Sequence, residues 1–369
     1  MKIQQFKPFT GTEEYENIKQ CFDKNWITEG PLAKKFTDKL LSLLNVKYGV
    51  LAPNGTLSLY MSLLALGIKK GDEVLVPNFT FVATANAVIM TGAKPVFVDI
   101  SEEDLHLDIN KLEKQITKRT KAIMPVHIYG MACDMDSILR IAKKYKLFVV
   151  EDAAQGIGVK WKDKSVGTYG DLGSFSFFAD KTITTGEGGF ICTNSEELYT
   201  KLLYIRNQGR INRGSFIHPH IGFNFRMTDI QCAIGLTQLK KLDFILNDKK
   251  RILETYKEGL NNNIRILEPK KDSNHVPFRV SIILNENNEK LIDYMKDKEI
   301  ETRTFFYPLN QQPCFSQINK KSFTFFRRKH DEFKTSNLMY LRGVCLPSYV
   351  GIEREKILFI CNSINSFYV

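Results

Sequence analysis

At 369 residues the chain exceeds what one hydrophobic core usually serves, so a large domain with a smaller companion is expected. Hydrophobic residues at 43% and charged residues at 25% exclude disordered, collagen-like and coiled-coil chains. The net charge of +11 is spread along the sequence, often beside Glu or Asp, as in "KKGDEV" and "NEKLIDYMKDKEIETR", which argues against nucleic acid as a partner.

The opening "MKIQQFKPFTGTEEYENIK" has no apolar run before its charges, and no stretch approaches the roughly 18 apolar residues of a membrane span. No membrane partner and a cytoplasmic location are therefore expected. The seven cysteines are scattered singly, and only His218 and His220 stand close, so no metal is expected. From about Lys47, short β-branched runs ("GVLAP", "EVLVP", "KPVFVDI", "KAIMPVHIYG", "LFVVED") alternate with helix-length segments ("TLSLYMSLLALG", "TANAVIMTG", "MDSILRIAKKY"). That alternation predicts an α/β protein, with a mostly parallel sheet covered by helices on both faces.

After Phe190 the rhythm turns helical through "SEELYTKLLYIRNQG" and "DIQCAIGLTQLKKLDFILNDKKRILETYKEGL". A boundary is expected near Lys240 to Asp248, dividing residues 1–245, a large α/β domain with the N-terminal helices, from residues 246–369, a small α+β domain. The small domain would hold "IRILEP", "VPFRVSIIL", a helix from about Asn288 to Lys298, "IETRTFFYP" and a last helix from about Glu353. Ser316 to His330, rich in Lys, Phe and Arg without periodicity, reads as a surface segment.

Ligands of parallel sheets gather where strands end and helices begin. In "APNGTLSLYMSLLALG" a strand ends at Ala52 and an apolar helix follows; Gly55 permits close backbone approach, and Thr56 adds a hydroxyl to amides able to hold a phosphate. Taken alone, the motif is more often a bare helix cap, Thr being a frequent N-cap with no ligand at all. "KLFVVED" ends in Glu151 and Asp152, and a carboxylate buried at a strand end needs a positive partner, of which a protonated ring nitrogen is one; an exposed capping Asp is the other reading. In "SFSFFADKTITTGEGGF", Lys181 lies five residues after Ser176 and before a glycine-rich return. A lysine among apolar walls and cations becomes available as a nucleophilic amine, although a surface lysine at a hairpin end has the same local sequence. Cradle, strand-end Asp and Ser-x4-Lys in this order are the parts needed to hold pyridoxal 5′-phosphate (PLP). Phe81, in "NFTFVATAN", could stack on its ring or serve as a core aromatic.

Nearly the whole chain also resembles the DegT/DnrJ/StrS sugar aminotransferases, through "PNGTLSLYMSLLALGIKKGDEVLVPNFTFVATANAVIMTGAKPVFVDI", "VHIYGMACDMDSI", "VEDAAQGIG", "GDLGSFSFFADKTITTGEGGF" and "IGFNFRMTDIQCAIGLTQLKKLD". The segments "FFADKTITTGEGG" and "TRTFFYPL" are most similar to members that aminate C4 of 4-keto-6-deoxy sugar nucleotides, such as GDP-perosamine synthases. The resemblance implies a type I PLP-dependent aminotransferase fold with a seven-stranded sheet, and a homodimer with active sites shared between subunits. It implies Lys181 as the Schiff-base lysine, Asp152 as partner of the pyridine nitrogen, Gln155 as a neighbour of the ring and Phe81 as the stacking aromatic. Gly55, Thr56 and Ser176 match the phosphate cradle, with Asn224 reaching in from the other subunit. His218, Phe306, Tyr307 and Asn310 fall where the family meets its substrate. Two departures bear on sugar and nucleotide: "SFIHPH" lacks the aromatic pair that perosamine synthases usually carry before this histidine, and Asn310 stands where a histidine is often found. The expected reaction is glutamate-dependent amination through pyridoxamine phosphate. The rivals are dTDP- or UDP-sugar C4 amination, C3 amination and a non-catalytic protein on the same fold.

Overall fold

The computed structural model describes residues 2–211, 214, 216–317 and 333–368; most of the segment Ser316 to His330 lies outside these described residues. Two helices open the chain, α1 (Thr12–Asp23) and α2 (Pro31–Leu44). Helix α2 turns Ala33, Phe36, Leu40 and Leu44 inward at helical spacing. Its start is fixed from far away, since the Asp229 carboxylate accepts from the N–H groups of Gly30, Leu32 and Ala33.

The large sheet contains β1 (Tyr48–Ala52), β2 (Glu73–Pro77), β3 (Lys94–Val98), β4 (Thr120–Ile123), β5 (Phe148–Asp152), β8 (Leu172–Ser176) and β9 (Gly189–Thr193). A small hairpin of β6 (Lys160–Trp161) and β7 (Lys164–Ser165) lies between β5 and β8. The seven strands are ordered β1-β9-β8-β5-β4-β2-β3, and only β9 runs against its neighbours. Helices α3 (Gly55–Ala65), α4 (Ala83–Met90), α5 (Ile109–Leu112), α6 (Met135–Tyr145), α7 (Glu196–Arg206) and α8 (Asp229–Lys240) connect or cover the strands. Both faces are dry. One packs Leu75, Val149 and Phe175 against residues of α2, α6 and α8; the other packs Val74, Val76 and Val150 against α3 and α4.

The helical run after Thr228 is two helices, with a break at Lys241 before α9 (Leu242–Gly259). Beyond it, β10 (Arg265–Ile266), β11 (Val280–Ile283), β12 (Arg303–Thr304) and β13 (Gly343–Leu346) form an antiparallel sheet in the order β10-β11-β13-β12. It is accompanied by α10 (Glu289–Asp297), α11 (Pro313–Gln317), α12 (Lys334–Arg342) and α13 (Arg354–Phe367). Leu242 and Ile245 of α9 pack into the large core, whereas Ile252, Leu253 and Tyr256 pack into a second core with Val280, Val344 and Ile360. A third cluster, including Phe79, Ile100, Tyr129, Phe278, Phe305 and Cys345, joins the small sheet to the strand ends of the large one. Among the described residues no helix is long and apolar enough to cross a membrane.

Candidate active site

The parallel strands deliver their C-terminal ends to one edge, as the topology requires. Beyond that edge an open cleft is lined by Gly55, Thr56, Phe81, Asp152, Gln155, Ser176, Lys181 and Phe306, all singled out by sequence.

At the start of α3 the cap is Asn54, not Thr56: the Asn54 Oδ1 accepts from Leu57 N at 2.9 Å. Gly55 and Thr56 therefore stand in the first turn, where backbone N–H groups have no intrahelical acceptor. A Cβ on Gly55 would lie 2.8 Å from Ser176 Cβ and 3.1 Å from its Oγ, so only glycine lets the helix start approach the end of β8 this closely. These amides, with the two hydroxyls, could serve as a compact anion cradle.

Side chains alternate across a strand, and the two carboxylates ending β5 diverge. Glu151 is wholly buried behind the cleft, accepting from His127 Nε2 at 3.0 Å and from the N–H groups of Gly167, Tyr169 and Gly170 at 2.6 to 2.7 Å. Asp152 faces the cleft. It accepts from Thr84 Oγ1 at 2.8 Å and Ala154 N at 3.2 Å, and burial pushes its carboxyl above the usual range despite those donors. A buried carboxylate so poorly matched by positive charge suits a cationic ring nitrogen.

Lys181 follows β8 in a tight turn, its N–H donating to Phe178 O at 3.0 Å. Its Nζ lies 4.3 Å from the centre of the Phe278 ring and 3.6 Å from Asp180 Oδ1. Burial lowers its affinity for a proton; Arg279 reinforces the shift, while Asp180 and Asp152 oppose it. The result is an amine biased toward its nucleophilic form in the same cleft as a phosphate cradle and a buried carboxylate. This donor set fits PLP: Gly55, Thr56 and Ser176 could take its anion, Asp152 its ring nitrogen and Lys181 its aldehyde.

The remaining residues divide. Gln155 Oε1 accepts from Tyr129 N at 2.6 Å, which fixes the amide beside the cleft. Phe81 is 58% exposed, with its ring 6.3 Å from that of Phe306, and Phe306 stacks on Tyr129. His218, Tyr307 and Asn310 do not line the cleft of this chain. His218 is exposed and its Nδ1 is bonded to Gln208 O; Tyr307 packs edge-on against Tyr340; Asn310 is pinned to Asn78 by two hydrogen bonds. Asn224 also lies outside the cleft lining, where its Oδ1 accepts from Arg226 Nε at 2.8 Å. Sequence reasoning missed Thr84, Tyr129, Asp180, Phe278, Arg279, Arg303 and Cys345, which complete the walls. For Arg279 a signal existed: one cation inside the otherwise apolar run "VPFRVSIIL".

Comparison with known proteins agrees with this arrangement. The chain is 40% identical over 366 residues to the GDP-perosamine synthase of Escherichia coli O157:H7, covering 98% of both chains, and 35% identical over 371 residues to that of Vibrio cholerae, again with 98% of both covered. It superposes on Helicobacter pylori PseC, an aminotransferase involved in the biosynthesis of pseudoaminic acid, with a TM-score of 0.90, 27% identity and coverage of 99% and 98%. Residues 8–365 match the DegT/DnrJ/EryC1/StrS aminotransferase family. With lysine, carboxylate and cradle gathered in one cleft, the chain belongs to that family and is a PLP-dependent transaminase.

Proposed function

We propose that the enzyme transfers the amino group of L-glutamate to the C4 ketone of a GDP-linked 4-keto-6-deoxyhexose, in the cytoplasm, for the synthesis of a surface glycan. The observation that carries the chemistry is the convergence of Lys181, Asp152 and the Gly55–Ser176 contact on one cleft. The regiochemistry and the nucleotide are supported by the similarity to proteins named GDP-perosamine synthase over nearly the full length.

When bound, PLP supplies an aldehyde that takes up an amine and a ring that draws electrons from the neighbouring carbon. The chain's own residues do the rest. The amides of Gly55 and Thr56, with their hydroxyl partner Ser176, anchor the phosphate. Asp152 would keep the ring nitrogen protonated, and Thr84 holds that carboxylate in place. Phe81 and Gln155, both on the cleft lining, would flank the ring. Lys181 Nζ would hold the cofactor's aldehyde and, when its amine is free, would carry the proton between the reacting carbons. Phe306 faces the sugar from the same wall, and His218, Tyr307 and Asn310 act on substrate from outside the lining of a single chain.

Two copies complete the two sites in this reading, each receiving Asn224 from its partner. Phe216 and Ile221, both 90% exposed and close to Asn224 in sequence, supply the apolar surface that pairing would cover. The large and small domains meet at residues 245 and 246, within α9.

The test is incubation of the purified protein with glutamate and, separately, GDP-, UDP- and dTDP-linked 4-keto-6-deoxyhexoses. The expected result is a 4-amino sugar from the GDP substrate alone, identified by mass and by NMR. Amination of only the UDP or dTDP substrates, or an amine at C3, overturns the assignment.

A further inference from the structure

Asp180 adjoins the lysine and has no part in the proposed reaction as described above. Its side chain is largely buried, and its two oxygens have different surroundings. Oδ2 accepts from Arg279 Nη2 at 2.7 Å. Oδ1 is buried with no hydrogen-bond partner, and it faces Lys181 Nζ at 3.6 Å, beyond hydrogen-bond range and within that of an ion pair. Arg279 is itself held, because its Nη1 donates to Gln5 Oε1 near the start of the chain. One oxygen of Asp180 is thus fixed on a clamped guanidinium, and the other is left aimed at the amine.

We propose that Asp180, oriented by Arg279, is the positioning residue that receives the Lys181 ammonium whenever that amine is not bonded to the cofactor. The idea rests on the reading of Lys181 as the cofactor-bonding residue. The two carboxylates near the lysine then divide their work. Asp152 is engaged by Thr84 and Ala154 and serves the ring nitrogen, while the unpaired oxygen of Asp180 serves the lysine. Arg279 acts twice, since it aims the carboxylate and also competes for it. An uncontested Asp180 would hold the proton on Lys181 too firmly for the amine to give it back.

The charged groups around this point come from several elements. Asp180 and Lys181 are in the turn after β8, Asp152 ends β5, Arg279 precedes β11, and Arg303 of β12 and Glu187 lie on the cleft wall. Lys249 of α9 faces the Asp180–Arg279 pair from behind, donating to Pro277 O at 3.0 Å. Asp180 is the group among them with a buried oxygen left for the amine.

The experiment labels the cofactor-free protein with acetic anhydride across a pH series and reads the Lys181 peptide by mass spectrometry. Removing a negative charge beside the amine disfavours the ammonium, so Asp180→Asn is expected to move the labelling midpoint down by about one pH unit. Arg279→Gln removes a competing positive charge and is expected to move it up, whereas Asp180→Glu stays near the wild type. A merely structural role leaves the midpoint in place, so an unshifted midpoint in a folded Asp180→Asn protein overturns the proposal. If that variant does not fold, Asp180→Ala is read in its place: a downward shift supports the proposal, and an unshifted midpoint overturns it. Borohydride reduction of the wild-type protein with PLP, read as cofactor mass on the Lys181 peptide, tests the underlying reading separately.

Discussion

Gly55 is where backbone geometry bears most directly on binding. The residue needs no unusual torsion there; it needs the absence of a side chain, because a methyl group would press on Ser176 Cβ at 2.8 Å. The Ser176 Cβ belongs to a buried strand end and has little room to retreat. Overpacking of this kind costs about 1–3 kcal/mol. With both residues proposed to hold the phosphate, the strain falls on cofactor affinity, and Gly55→Ala is expected to raise the PLP dissociation constant about tenfold or more in an absorbance titration. An unchanged affinity would mean that the phosphate is anchored elsewhere. Glu151 and Asp152 carry the complementary lesson. Two adjacent acids of the same type acquire opposite duties from strand alternation alone, one tying down the 167–170 loop and His127, the other facing the cleft.

Helix α9 is the element that links the two parts of the fold. Its first turns bury Leu242 and Ile245 in the large core and its later turns bury Ile252 and Tyr256 in the small one. Continuous helix transmits strain between cores, so Ile245→Ala and Ile252→Ala are each expected to lower the midpoint of one shared unfolding transition, at a cost of about 2–5 kcal/mol. Two transitions in calorimetry, each sensitive to a single variant, would mark two units folding independently. Elements of this kind were legible wherever a run was both periodic and buried. "EVLVP" is β2 residue for residue, and "MDSILRIAKKY" is α6. Others were cut short by contacts far away in sequence. The expected strand "KAIMPVHIYG" stops at Ile123, and the chain then turns through Tyr129 and Gly130 at positive φ, where a Gly130 Cβ would strike the Val276 carbonyl. In "IETRTFFYP" only Arg303 and Thr304 pair as strand, because Phe305 and Phe306 are drawn into the aromatic cluster around Phe79 and Tyr129. The site followed the same rule. Lys181, Asp152 and Ser176 stand in short motifs, whereas the Asp180–Arg279 pair joins residues that no local pattern connects.

For the molecule as a whole, the exposed apolar residues near Asn224 argue for assembly. Phe216 and Ile221 lie almost fully in solvent on a single chain, which is costly for side chains of that size. Replacing both by Asp is expected to convert a two-chain particle to one chain in analytical ultracentrifugation and to remove most transaminase activity. A monomeric variant of undiminished activity would show each chain to be self-sufficient. The cleft itself draws on almost the entire length of the polypeptide, from Asn54 to Cys345. A nascent chain leaving the ribosome with Lys181 already outside still lacks Phe278, Arg279 and Phe306, and so leaves the pocket open on the side those residues wall. Vitamin B6 loading is therefore expected to await those later segments, and a chain truncated before Phe278 would carry the lysine without that part of its enclosure.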